Sequence, residues 1–230
     1  MSTVDRPGIQ APLPLVDGER MTHAEFRRRD ALLPEGKWAE LIGGIVHMVF
    51  GAHFEHATSD SALGAWLYVY TQSTPGVLSA TNLSTVLGDD TEVQPDQQLL
   101  IPEALGGRSR LVGGKVIGPP ELVVEVSQST RSKDLGPKKA QYEKAGVAEY
   151  LFIGLGPDEA RWFALADGRY EAIAPEADGS LRSRAFPGLW LDPKALLAGD
   201  GAAMFAALGR GLASPEHARF VAELAGRGGR

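Results

Sequence analysis

The chain has 230 residues, 43% of them hydrophobic and 23% charged, and a formal net charge of -6. That composition is ordinary for a globular protein and is enough for one good core with a C-terminal appendage. It contains no cysteine, which excludes disulfides and thiolate metal sites, and no apolar run approaches the ~20 residues a membrane helix needs. The acidic balance argues against tight, non-specific nucleic-acid binding, which needs clustered Lys and Arg, but is compatible with a carboxylate metal site, where only the local field matters. The N-terminal stretch lacks the apolar segment of a secretory signal, so the expected location is the cytoplasm.

Taken in order, residues 1–20, with Pro7, Pro12 and Pro14, are expected to form a loosely ordered lead-in. Thr22 and Glu25 make a capping-box pair, which predicts a helix from Met21 to about Leu33, ended by Pro34-Glu35-Gly36. Trp38 to Ile42 and Ile45 to Phe50 flank Gly43-Gly44 and read as a hairpin. His56 to about Tyr70 suits an amphipathic helix, Val77 to Ala80 and Leu83 to Leu87 alternate as strands, and Pro95 opens a strand headed by Asp96. The segment Pro102 to Gly118 reads as one long loop.

Glu121 to Val126 is a short apolar run after Pro119-Pro120 and reads as a buried strand. A helix is expected from about Ser132 to Ala145, capped by Ser129 or Thr130 and closed by Gly146. A strand at Glu149 to Gly154 and a meander around Asp167-Gly168 follow, then a short helix near Pro193 to Leu197 and two weak helical stretches in the tail. The four tryptophans, Trp38, Trp66, Trp162 and Trp190, are most simply core residues. The expected fold class is α/β (α+β) with a mixed β-sheet flanked by helices. The main domain is expected over residues 21–197 and a helical tail over 198–230.

Glu125 interrupts its apolar strand, and a carboxylate there costs free energy unless a metal ion or a cation pairs with it. Asp96 heads another apolar run. Two acids on neighbouring strands and a lysine from an adjacent helix would make a site for a hard metal. Alone, Asp96 reads as a strand-end cap, Lys139 as a solvated helix face and Tyr142 as an aromatic at the core edge. His53 and His56 lack an evident third ligand and suit capping or packing.

Met21-Thr22-His23-Ala24-Glu25-Phe26, Ala39 to Val46, Pro95-Asp96 and Glu121 through Tyr150 together resemble the Uma family. These are restriction-endonuclease-like proteins within the PD-(D/E)xK nuclease superfamily. The resemblance spans roughly residues 20–197 with the motifs in order, and implies a restriction-endonuclease-like core. It implies that Asp96 and Glu125 bind a divalent metal, Mg²⁺ with Mn²⁺ as the alternative, and that Glu40 is a third acid. The superfamily lysine is expected two residues after the second acid, where this chain has Ser127. The family pattern has a helix lysine instead, matched by Lys138. His56 falls where the family often has a histidine.

Such a site implies phosphodiester hydrolysis, with the Val126 carbonyl as a third ligand and Lys138 orienting water and neutralising charge. Tyr142 is placed to position Lys138 or touch phosphate, and Arg131 and Lys133 to contact the backbone. The implied partner is nucleic acid, DNA first, with no membrane; a two-fold homodimer would suit double-strand cutting. Two other readings stand beside the nuclease. One is a fold-preserving, inactive module binding nucleic acid or protein, motivated by Ser127 and the negative charge. The other is a paired-carboxylate hydrolase, disfavoured because no aromatic platform can be read from the sequence.

Overall fold

In the computed structural model, which describes residues 13–228 apart from residues 50 and 52, the first hairpin follows from its turn. Gly43 and Gly44 have φ of 58° and 78°, left-handed values that a two-residue hairpin turn demands and that glycine adopts without a Cβ clash. They join β1 (Trp38–Ile42) to β2 (Ile45–Val49) with Glu40 opposite His47. The expected end of the second strand, Phe50, lies outside the described residues. Ahead of the hairpin comes α1 (His23–Asp30), where the Thr22 side chain accepts a hydrogen bond from the Glu25 N–H as the cap predicts. Of the expected lead-in, residues 1–12 lie outside the described residues, while Leu15 is buried and the Gly18 N–H donates to the Val46 carbonyl.

The next elements are α2 (Phe54–Ser73), β3 (Leu78–Thr81), β4 (Thr85–Gly88), β5 (Thr91–Val93) and β6 (Gln97–Leu100). After them come β7 (Arg110–Val112), β8 (Lys115–Ile117), β9 (Leu122–Ser127), the single turn α3 (Arg131–Lys133) and α4 (Lys139–Ala145). The chain continues through β10 (Glu149–Leu155), β11 (Asp158–Ala166), β12 (Arg169–Ala172), β13 (Leu181–Arg182) and β14 (Trp190–Leu191). It ends with α5 (Pro193–Leu197), α6 (Gly201–Leu212) and α7 (Pro215–Gly228). The strands form two six-stranded sheets, β2-β1-β5-β4-β8-β7 and β12-β11-β10-β9-β6-β3, and a small β13–β14 pair. β9 and β10 run parallel while β9 and β6 are antiparallel, so the second sheet is mixed as expected.

Alternation along β9 fixes the layers. Leu122, Val124 and Val126 enter a core with Leu63, Trp66 and Leu67 of α2, Met204 and Leu208 of α6, and Phe220 and Leu224 of α7. Val123 enters a second cluster with Tyr142, Tyr150 and Phe152, which Ile42 and Val93 of the first sheet also join. Glu125 shares the strand face of Val123, so it points into the layer between the two sheets. A third cluster sits beneath α1, built from Phe26, Ala39, Leu41 and Val46.

Four expectations are corrected. The segment 102–118 is no long loop: β7 and β8 pair as a hairpin across Gly113-Gly114, and β8 lies parallel to β4. The helix expected from Ser132 to Ala145 is broken by a π turn at Asp134–Lys138 that contains Pro137, whose missing N–H and ring forbid a regular turn. Trp38 is 53% exposed rather than core, because it stands at the open start of β1, whose other four residues are all buried. The tail is not weakly helical; α6 and α7 are full amphipathic helices seated on the main core. Among the described residues no helix is long and apolar enough to cross a membrane.

Candidate active site

The break at Gly136-Pro137 decides where two adjacent lysines go. Lys139 lies outside, its ammonium 4.5 Å from the centre of the Phe163 ring. Lys138 turns inward and is 4% exposed, with Nζ 2.9 Å from Glu40 Oε1 and 2.8 Å from Glu125 Oε1. Tyr142, a turn along, donates from its hydroxyl to Glu125 Oε1 at 2.5 Å. The remaining oxygen of Glu40 faces Lys133 Nζ at 3.3 Å, and the Gln94 N–H donates to Glu40 Oε1 at 3.0 Å. Glu40, Glu125, Lys138, Lys133 and Tyr142 thus converge from β1, β9 and the kinked helix.

Asp96 immediately precedes β6. That strand pairs Gln97 with Val124, and carrying the register one residue further sets Asp96 across from Glu125. Its Oδ2 accepts from the Val126 N–H at 2.7 Å, and His56 Nε2 lies 3.5 Å from the same oxygen. The other ring nitrogen of His56, Nδ1, is buried without a hydrogen-bond partner among the described residues. Arg131 turns away, its Nε on Glu159 Oε1 at 2.6 Å. His53 occupies the N-cap of α2 but makes no side-chain cap bond.

One ammonium serves several acids. Burial alone would lower Lys138, but Glu125, Glu40, Asp134 and Asp96 outweigh it and hold the ammonium well above its usual range. Burial raises Glu125, and the charges of Asp96, Asp134 and Glu40 add to that against Lys138. Glu40 goes the other way: burial would raise it, yet Lys138 and Lys133 together with the Gln94 N–H hold it below the ordinary carboxylate range. Burial and then Glu125 push the Tyr142 phenol up. At the rim, burial and the Lys133 charge push His47 down.

The cluster is therefore short of positive charge. Both close contacts on Glu125 end on Oε1 and those on Asp96 on Oδ2, which leaves Glu125 Oε2 and Asp96 Oδ1 for a ligand. Among the described residues no three His, Asp or Glu side chains form a preassembled metal cage. Mg²⁺ does not require one, since it is usually held by one or two carboxylates, with waters and substrate phosphates completing its shell. An all-oxygen donor set with excess negative charge fits such a hard cation.

Asp134, unassigned from the sequence, belongs to the same cluster; it is buried and accepts from the Thr130 hydroxyl at 2.5 Å. Its spacing from Lys138, one helical turn, was the available signal. Ser127, in the superfamily lysine position, faces Thr130 with hydroxyl oxygens 3.2 Å apart.

Comparison with known proteins bears on this geometry. Residues 23–194 match the sequence profile of the Uma2 family, described as "Putative restriction endonuclease". Among solved structures, the chain is similar to the crystal structure of a "putative nuclease belonging to DUF820" from Anabaena variabilis ATCC 29413, with a TM-score of 0.58 and 17% identity. That match covers 77% of this chain and 98% of the other, and at this identity it speaks for a shared fold. No curated protein matches the sequence. Helices α6 and α7 lie beyond the matched range.

Proposed function

This chain belongs to the Uma2 family, and from that premise we propose that it is a metal-dependent nuclease hydrolysing phosphodiester bonds in DNA. The observation that carries the reading is Lys138 Nζ at 2.9 and 2.8 Å from Glu40 and Glu125, with Asp96 tied to the backbone of the residue after Glu125. Asp96, Glu125 and the Val126 carbonyl would hold Mg²⁺, with Mn²⁺ as a substitute. Such a cation, when bound, supplies a Lewis acid for a phosphate oxygen and neutralises charge.

The chain's own groups do the rest. Lys138 orients the attacking water and stabilises the negative charge that grows on the phosphoryl oxygens. Tyr142 fixes the Glu125 carboxylate through its hydroxyl. Glu40 also holds the Lys138 ammonium. Lys133, 21% exposed, offers a rim contact to the backbone phosphate, and Arg131 can offer another on leaving Glu159. His56 keeps Asp96 in place.

Purified protein incubated with plasmid and single-stranded DNA, with Mg²⁺ or Mn²⁺, tests the reading. Cleavage is expected, and Asp96→Ala or Glu125→Ala should each lower its rate by at least about a hundredfold. The reading is overturned if wild type cuts neither substrate with either metal, or if both variants cut as wild type does. A second reading is favoured by Ser127 in the superfamily lysine position and by the commitment of Lys138 to two carboxylates. In it the protein binds nucleic acid without cutting, and binding with no cleavage would establish it.

A further inference from the structure

Trp38 is 53% exposed, yet it stands on the strand face that carries the candidate site. Ala39 and Leu41 pack beneath α1, whereas Ile42 packs into the layer between the sheets. Trp38, Glu40 and Ile42 therefore share one face of β1, in steps of about 6.8 Å. Pairing sets Val49 opposite Trp38 and His47 opposite Glu40 on that same face. Lys133 reaches Glu40 Oε2 from the helix side at 3.3 Å. An indole in water, an imidazole and an ammonium thus run outward from the buried acids along one wall.

A tryptophan gains most by burial, so an exposed one on the strand face of a charged cluster suits a partner. We propose that Trp38 is a stacking platform for an unpaired base of the strand whose backbone passes Lys133 into the site, so that the substrate class is single-stranded DNA or a single-stranded stretch of it. The placement of the phosphate rests on the nuclease reading above; the platform rests on the alternation and exposure of β1. The nuclease reading, with the Lys133 ammonium 21% exposed at the rim, selects a nucleic-acid occupant over an apolar one. Lys133 flanks the route, and the net charge of -6 restricts phosphate attraction to such local groups. Inside a duplex the stacked neighbours cover both faces of a base, so along a strand the platform takes an unpaired one. Aromatic stacking serves any base, so the platform favours strandedness over sequence.

Fluorescence anisotropy of a short labelled oligonucleotide, single-stranded and as a blunt duplex, with metal chelated, tests this on the full chain. Trp38→Ala should weaken single-strand binding by about tenfold and duplex binding by less than about twofold, with Trp38→Phe restoring most of the loss. Unchanged single-strand affinity, an equal loss on both substrates, or no binding of either by wild type overturns the platform. Exposure makes Trp38→Ala compatible with an unchanged unfolding temperature, which is checked alongside. Cleavage assays separate the two proposals. Trp38-dependent binding without cleavage by wild type removes the nuclease and keeps the platform. Cleavage by wild type with Trp38→Ala binding single strands normally does the reverse.

Discussion

At 4% exposure, the ammonium of Lys138 stands between Glu40 and Glu125, and its removal would leave two buried carboxylates without their shared cation. Lys138→Met should therefore destabilise the metal-free protein by about 3–5 kcal/mol at neutral pH, the usual cost of breaking a buried pair from one side. The pH dependence of the Glu40 contribution should also invert. In the wild type Glu40 is held low, so its contribution is present above the ordinary carboxylate range and is lost as pH falls through its depressed value. Without that ammonium, burial and the Glu125 charge oppose only Lys133 and raise the Glu40 carboxyl, so its contribution is largest below about pH 4 and is lost as pH rises. Urea denaturation of both proteins at several pH values measures this, and parallel profiles would refute it. Glu125 is legible in the sequence because an acid inside an apolar strand requires a partner. Which lysine answers it is not, since Lys138 and Lys139 are neighbours and only the Gly136-Pro137 break sends one inward.

Between elements, a second buried carboxylate acts as a structural staple. Glu149 on β10 accepts from the Trp162 indole at 3.0 Å, the Ser183 hydroxyl at 2.7 Å, and the backbone N–H groups of Arg184 and Ala185 at 2.5 and 2.9 Å. It ties β11 and the chain ahead of β14 to the central strand. An amide can accept on one side only, so Glu149→Gln should leave either the Trp162 indole or the Arg184 and Ala185 N–H groups unpaired and cost about 2 kcal/mol, read from urea midpoints. An unchanged midpoint would mean that the staple is dispensable.

Elements were legible where one residue type forces the geometry. Gly43-Gly44 announces its hairpin and Gly146, at φ 84°, its helix end. Gly113-Gly114 carried the same turn signal, but the strands it joins span only Arg110–Val112 and Lys115–Ile117, too short for alternation to register. Trp38 was misplaced for a related reason: composition puts tryptophan inside, but this one heads β1, ahead of the covered part of the strand.

For the whole molecule, the main core does not end where the family match ends. Met204, Leu208, Phe220 and Leu224 from α6 and α7 meet Leu63, Trp66 and Leu67 of α2, so the last helices close the face of the sheet opposite the candidate site. Leu208→Ala should cost about 3 kcal/mol by cavity formation, although it lies outside the matched residues. Equilibrium denaturation checks it, and a loss under about 0.5 kcal/mol, as for an ordinary surface change, would show that the tail is merely laid on the domain. This closure was hidden in the sequence because Ala- and Gly-rich helices look weak until a partner surface is known.

The candidate site is also assembled across long stretches of chain: Lys133 and Glu40 are 93 residues apart in sequence, with β6 and β9 threaded between them. Closing such spans is entropically slow and waits on the sheet pairings that hold the strands in register. During synthesis, the acids of β1 and β9 leave the ribosome before the ammonium that joins them. On the nuclease reading, a nascent chain thus has no assembled site until the kinked helix has docked.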